Sequence, residues 1–379
     1  MLEPGFRPPL IVGAGFSGAV IARLLAEAGV PTRVIEARAH VAGNCHTARD
    51  PETGVMEHMH GPHIFHTDDA GVWQFVQRFA RFRPYRHSVR AIVGGRAFSL
   101  PMNLGTINAF FGRNLTPDEA RAFIAAQTEA IASPANFEEQ ALATLGRPLY
   151  EAFFAGYTAK QWGRDPRDLP AAVLKRLPLR FTQDDSYFAH THQGIPEDGY
   201  TALVTRMLDH PLIRLSLNTP YQRGMERGAH VFWSGPLDAW FDHDAGRLGY
   251  RTLRFVRQVH DGDAQGCAVV NYCDADVPWT RITEHKHFAP WETHARSVTY
   301  REYSAEAGAG DVPYYPIRLA RDTAMLTAYV ARARALSGVS FVGRLGTYRY
   351  LDMDVTIREA MDIARAYLAG ARPVFTKAA

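Results

Sequence analysis

Residues 56–67 read MEHMHGPHIFHT, setting His58, His60, His63 and His66 within nine positions. Imidazoles at this density could hold a metal, move protons, or do neither and simply shape a loop. HMHGPHIFH lacks a helical i,i+4 pair of histidines and any accompanying Cys or Asp/Glu ligand spacing, so no metal site is expected. The second chemically loaded stretch is PLIVGAGFSGAVIARLLAEAGVPTRVIEAR, with Gly13, Gly15 and Gly18 in G-x-G-x-x-G spacing. Glycines so spaced let backbone amides approach a pyrophosphate at a helix N-terminus.

The elements around those glycines are the ones such a turn requires. Leu10 to Val12 form a short apolar strand, Ala19 to Ala28 carry helical apolar spacing, Gly29 ends the helix, and TRVIEAR supplies a second strand finishing at Glu36. Glu36 is placed to accept from ribose hydroxyls and to repel a 2′-phosphate. An adenine dinucleotide is therefore expected, contacted by Gly13, Gly15, Phe16, Ser17, Gly18, Glu36, Ala37 and Arg38. No second glycine fingerprint follows residue 40, so a nicotinamide donor has no Rossmann unit of its own. RAHVAGN resembles the stretch after the ribose acid in glutathione-reductase-like FAD proteins, with Ala42–Gly43 where a Gly–Gly pair usually stands, followed by Asn44. Near the other end, VSFVGRLGTYRYLDMDVTIREAMDIARAYLAG reads as a buried strand, a glycine-containing loop and an amphipathic helix. If they return to the N-terminal unit, Arg344 faces phosphate or ribityl oxygens and the amides near Met353 face the flavin.

Between these ends the pattern changes. Residues 103–165 are helical with a break at ASPANF, and one helix starts at Thr116 with Pro117 first and Glu119 three after the cap. Residues 248–303 alternate in GYRTLRFVRQVH, CAVVNYC and ARSVTYREY, which suggests antiparallel strands. Lys+Arg number 42 against Asp+Glu 39, a near balance that argues against a nucleic-acid coat or membrane-surface protein. Three cysteines without a CxxC pair suggest a reducing cytoplasm, and neither a leader nor an apolar run of membrane length stands in the sequence. Aromatic residues in FFAGYTAKQWG, DDSYF and PYYPI accompany separated arginines, Arg176, Arg180 and Arg281. Aromatic faces hold a base and sugar while guanidiniums clamp a diphosphate, so a nucleotide-sugar site is expected.

In order along the chain, GPHIFHT, FSLPMNLGTIN, GYTAKQWG, LPAAVLKRLPLRF, DDSYF, GIPEDGYTALV, RITEHKHF, PYYPI and GRLGTYRYLDMD resemble the bacterial UDP-galactopyranose mutases. The resemblance implies an α/β protein with a discontinuous Rossmann-type FAD-binding domain, an inserted helical bundle and a twisted antiparallel β-sheet domain. Their expected spans are 1–82, 196–245 and 330–379 for the first; 103–167 for the second, with a mobile loop to about 180; and 83–102, 181–195 and 246–329 for the third. It further implies a homodimer, an external reductant, and reduced FAD as the active cofactor. Arg176 and Arg281 would meet the diphosphate, Tyr187 would stack on uracil with Phe153, Phe154 and Phe188 nearby, and Tyr157 and Trp162 would line the site. Asn271, Tyr315, Tyr350, Asp352 and His87 complete the substrate set, and Gly43, Asn44, Gly61, His63, Arg344, Asp352 and Met353 the cofactor set. The histidine loop would lie against the isoalloxazine, a carbonyl near Gly61–His63 accepting from flavin N5–H, so that backbone shape outweighs imidazole chemistry. The implied reaction is the redox-neutral interconversion of UDP-galactopyranose and UDP-galactofuranose through a flavin N5–sugar C1 adduct. His60 stands where relatives usually carry Tyr, and His87 near a position that is often Asn. A UDP-N-acetylgalactosamine or 6-deoxy sugar nucleotide is the alternative substrate, and an FAD-dependent oxidase the alternative class.

Overall fold

The computed structural model describes residues 7–176, 179–317 and 322–375, apart from the side chains of Ala172, Lys175 and Arg176. A five-stranded parallel sheet runs in the order Ile213–Ser216, Thr32–Ile35, Leu10–Val12, Val231–Trp233, Val339–Phe341. Its central strand is buried along its length, as a parallel strand covered on both faces must be. Helix Phe16–Glu27 packs on it and against the C-terminal helix Met353–Leu368, with Ile21, Leu25, Ile357 and Met361 in the shared core. Chain segments more than three hundred residues apart thus meet beside the glycine turn. The expected strand, loop and helix at 339–369 are found, the loop holding a short helix at Gly343–Gly346.

A seven-stranded sheet forms the second layer, in the order Tyr315–Pro316, Tyr250–Asp261, Arg296–Glu306, Arg281–Glu284, Val269–Tyr272, Val89–Val93, Arg96–Leu100. Its pairs are antiparallel except one, since Val269–Tyr272 runs parallel to Val89–Val93. One cross-strand row carries Phe255, Glu302, Arg281, Asn271 and Ala91 side by side. Because side chains alternate faces with period two, the whole row points the same way. A smaller sheet pairs His192–Pro196 with Phe65–Thr67 and Phe82–Pro84.

Helices occupy 104–162. Thr116 caps Pro117–Ala125 through a capping box with Glu119, as its spacing predicts. Helix Phe137–Thr144 is capped by Asn136, and Gly146 at φ +79° then turns the chain. The continuous helix suggested by EAFFAGYTAKQWG is in fact a π-helical segment, Tyr150–Ala155, followed by α-helix Gly156–Trp162. A π turn shifts the side chains after it around the axis, which re-aims Tyr157 and Gln161 relative to Phe153. None of the described helices is long and apolar enough to cross a membrane.

Candidate active site

The glycine turn is built for close approach. Gly13 has φ +101°, and a Cβ there would lie 2.1 Å from Ser234 Oγ, while one on Gly18 would lie 2.0 Å from the Gly13 oxygen. Gly15 is loosely packed by comparison, the nearest atom to a Cβ being the Gly43 Cα at 3.9 Å. Glu36 is buried, its two oxygens accepting from the Ala14 amide at 2.9 Å and the Arg38 amide at 3.0 Å. Arg38 donates from Nη2 to Asn44 Oδ1 at 2.9 Å, whereas its Nη1 is buried without a partner. An orphaned buried guanidinium nitrogen beside a loosely packed glycine fits an anionic or hydroxylated ligand, so the residues present suit a dinucleotide. Ala42, where a glycine usually stands, sits at φ 72° with its methyl buried, a left-handed conformation costing about 1 kcal/mol relative to glycine.

Of the other expected cofactor residues, Ser17 lies against Gly343, whose Cβ would be 2.6 Å from Ser17 Oγ, so the C-terminal loop does return to the turn. Phe16 is buried edge-on to Tyr200, Ala37 is exposed, and Asp352 is the N-cap residue of the helix that Met353 begins. Arg344 donates to the carbonyls of Leu351 at 2.7 Å and Tyr314 at 3.3 Å, and its guanidinium lies over the rings of Tyr350 and Tyr315. Those two rings stack, centroids 5.6 Å apart.

The histidine loop is held by imidazoles acting as acceptors. His58 Nδ1 accepts from the His63 amide at 3.1 Å, and His285 Nδ1 accepts from the His58 amide at 3.1 Å. A ring nitrogen that accepts from a backbone N–H carries no proton, so both rings are neutral with the proton on Nε2. His63 Nδ1 in turn lies 2.9 Å from the Gly61 oxygen and must donate to it, which fixes Gly61 at φ +92°. His60 Nδ1 is 2.8 Å from the Tyr314 hydroxyl. His66 belongs to a different cluster, its ring stacked on Phe188 with centroids 3.7 Å apart. Burial holds the His285 and His87 pKa values down at about 3, with Arg257 and Arg281 respectively adding to the effect. Burial and Arg344 hold His63 at about 4, and burial pushes His58 well down.

The sheet row supplies the charge. Arg281 forms an ion pair with the buried Glu302, Nε to Oε1 3.1 Å, and donates from Nη2 to Tyr157 Oη at 3.1 Å and Gln161 Oε1 at 3.3 Å. Thr280 donates to Glu302 Oε1 at 3.0 Å and so fixes the carboxylate. Burial opposes the charge on Arg281, but Glu302, with Tyr157, Tyr315 and Tyr187 behind it, outweighs that and raises its pKa. Asn271, the cross-strand partner of Arg281, has a buried Oδ1 without a partner. The Tyr187 amide donates to the His87 oxygen at 2.7 Å, and its ring meets those of His87 and Phe188.

The structure therefore brings together Arg281, Tyr157 and Asn271, then Tyr315, Tyr350 and Arg344, and then Tyr187, Phe188 and His87. Trp162, half-buried, packs on the helical core. Phe153 and Phe154 lie inside that core, against Phe98 and Phe110 and against Phe137, where they back the site helix. Arg176 ends the turn Ala171–Arg176, and its side chain lies outside the described residues. Glu302, Gln161 and His285 were not singled out from the sequence. Only the period-two alternation of Tyr300 and Glu302 in ARSVTYREY hints at the first.

Among the described residues, Asp263, Glu284 and His287 bring three possible metal-ligand atoms together. Glu284 already accepts from the amides of Ala264 and Gln265, and the Lys286 ammonium lies 3.5 Å from Asp263, so the group latches a turn.

Residues 152–350 match the UDP-galactopyranose mutase family, and residues 11–79 match the NAD(P)-binding Rossmann-like domain. The chain is 54% identical over 374 residues to a probable UDP-galactopyranose mutase of Klebsiella pneumoniae, covering 97% of each chain. It is also 48% identical to a dTDP-fucopyranose mutase of Escherichia coli, covering 95% of this chain and 98% of that one. Among solved structures, a reduced UDP-galactopyranose mutase superposes with a TM-score of 0.77 at 15% identity, over 98% of this chain and 95% of that chain.

Proposed function

Because the chain belongs to the UDP-galactopyranose mutase family, we propose that it interconverts UDP-galactopyranose and UDP-galactofuranose with reduced FAD bound. The observation that carries the reading is the half-buried Arg281 guanidinium, paired with the buried Glu302 and oriented by Tyr157 and Gln161 in a sheet row next to Asn271. An arginine held in this way keeps its plane fixed and would turn the Nη1 end of the guanidinium to a diphosphate.

FAD would be held by the glycine turn, Glu36, Arg38, the Gly43–Asn44 corner, Arg344 and the start of the Met353 helix. When bound and reduced it would supply an electron-rich N5 nucleophile for chemistry with no net electron transfer. The protein does the rest. Arg281, joined by Arg176 from the loop after the helices, neutralises the departing diphosphate. Tyr315 and Tyr350 would donate to phosphate oxygens, and burial raises the Tyr315 hydroxyl pKa further above neutrality. Tyr187 provides the aromatic face for the base. Gly61 and His63, locked by His58 and His285, keep the shape of a loop that would lie against the isoalloxazine. Closure of the expected loop from 168 to about 180, of which residues 177 and 178 lie outside the described residues, would exclude water. The three-unit division by residue range, a homodimer, an external reductant and cytoplasmic residence belong to the same proposal.

A second substrate is favoured by the dTDP-fucopyranose mutase at 48% identity: a 6-deoxy sugar carried on dTDP. Incubating dithionite-reduced protein with UDP-galactofuranose and, separately, dTDP-fucofuranose, then separating furanose from pyranose by chromatography, distinguishes the two. Conversion of the first supports the proposal. Conversion of only the second keeps the reaction and replaces the sugar, and conversion of neither refutes both.

A further inference from the structure

We propose that Lys160 is a positioning residue for Arg281, acting through a ring of four backbone carbonyls that becomes a site for an alkylammonium ion once the lysine side chain is removed. The inference rests on the reading of Arg281 as a diphosphate ligand. Lys160 lies on the site helix between Tyr157 and Trp162, and its side chain reaches across to the loop that joins strand Val269–Tyr272 to strand Arg281–Glu284. There its ammonium donates to the carbonyls of Tyr272 at 2.7 Å, Asp274 at 2.8 Å, Val277 at 2.8 Å and Trp279 at 3.2 Å.

Four carbonyl oxygens converging on one point repel one another unless a cation lies between them. An ammonium has three N–H groups for four acceptors, so one is shared, and its tetrahedral, rotatable donors suit the ring where a planar guanidinium would not. The helix sits flush on the same loop: a Cβ on Gly156 would lie 2.5 Å from the Cys273 oxygen and 3.1 Å from the Ala275 nitrogen. At its far end, Ser304 and Arg251 donate to the Gln161 carbonyl at 2.6 and 3.1 Å.

Both sides of the Arg281 contact are therefore joined by this ammonium. The loop ends at Thr280 and Arg281, which set the Glu302 pair, and the helix carries the Tyr157 and Gln161 oxygens that accept from Arg281. Removing the charge should let the loop and helix part and the fork lose its orientation, while Arg281 itself remains. A purely structural lysine would lower stability without leaving a cation-dependent binding defect.

The test is titration of the FAD-loaded protein with UDP by isothermal calorimetry, comparing wild type with Lys160→Ala and Lys160→Met. Lys160→Ala should bind UDP about tenfold more weakly or worse, the loss expected for a disordered charged fork. Added n-propylammonium, which restores the missing atoms, should recover most of that affinity, and tetramethylammonium at the same concentration, having no N–H, should not. Lys160→Met should stay weak with either ion because its own chain fills the space. Should Lys160→Ala give no soluble holoprotein, Lys160→Gln carries the test, with weakened binding expected and wild-type affinity overturning the inference. Unchanged affinity in Lys160→Ala, or a loss that n-propylammonium does not repair, overturns it too. A wild-type protein that binds no UDP would overturn the diphosphate reading and this inference with it.

Discussion

Acid should unfold this protein through its interior histidines, and His285 offers the sharpest case. Its Nδ1 accepts from the His58 amide, it is 1% exposed, and burial holds its pKa at about 3. In the unfolded chain the same ring has a pKa of about 6.5. A depressed histidine contributes stability that is fully present above the unfolded value and is lost as pH falls toward the folded one. At pH 5 the unfolded state has bound the proton and the folded state has not, which removes about 2 kcal/mol for this ring alone. His87, with a pKa of about 3 and 4% exposed, removes a similar amount, and His58 acts in the same direction. Urea unfolding of the FAD-loaded protein, followed by tryptophan fluorescence, should therefore show a midpoint that falls steeply between pH 7.5 and pH 5. His285→Gln keeps an acceptor for the His58 amide but cannot titrate, so its midpoint should fall less, by a difference equivalent to about 2 kcal/mol. If wild type and His285→Gln lose the same stability over this interval, the neutral-acceptor account of the loop is wrong.

Gly18→Ala would place a methyl 2.0 Å from the Gly13 oxygen, a backbone atom that cannot yield, so the purified protein should lack the yellow flavin absorbance expected of the wild type. Arg281→Lys keeps the charge and the Glu302 partner but loses the fork. It should retain FAD while turnover falls by about a hundredfold, measured by chromatography of the sugar nucleotides. Arg176→Ala should likewise keep its flavin and lose most turnover; full activity would remove the residue from the site.

Much of the dinucleotide unit was legible because its signals are local. Strand, glycine turn, helix and Glu36 follow one another within the first thirty-six residues, and the Thr116 capping box is written within four. The sheet row was not legible. That Glu302, Arg281 and Asn271 lie side by side depends on the pairing of three strands, and register across loops of different length leaves no local trace. The π-helical segment at Tyr150–Ala155 was missed for a related reason, since one extra residue in a turn changes which side chains face the site but not the composition of EAFFAGYTAKQWG. The histidines show both limits. Their spacing argued against a zinc-like ligand set, yet their use as neutral acceptors could not be seen, because the donor to His285 is the amide of His58, 227 residues away.

The central claim is that reduced flavin takes part in the ring exchange and ends as it began. Anaerobic, photoreduced protein given an excess of UDP-galactofuranose should produce UDP-galactopyranose over many turnovers while its flavin absorbance stays that of the reduced form. Readmitting air should stop conversion. Sustained conversion by the oxidised protein, or one flavin reoxidised for each sugar converted, would contradict the account.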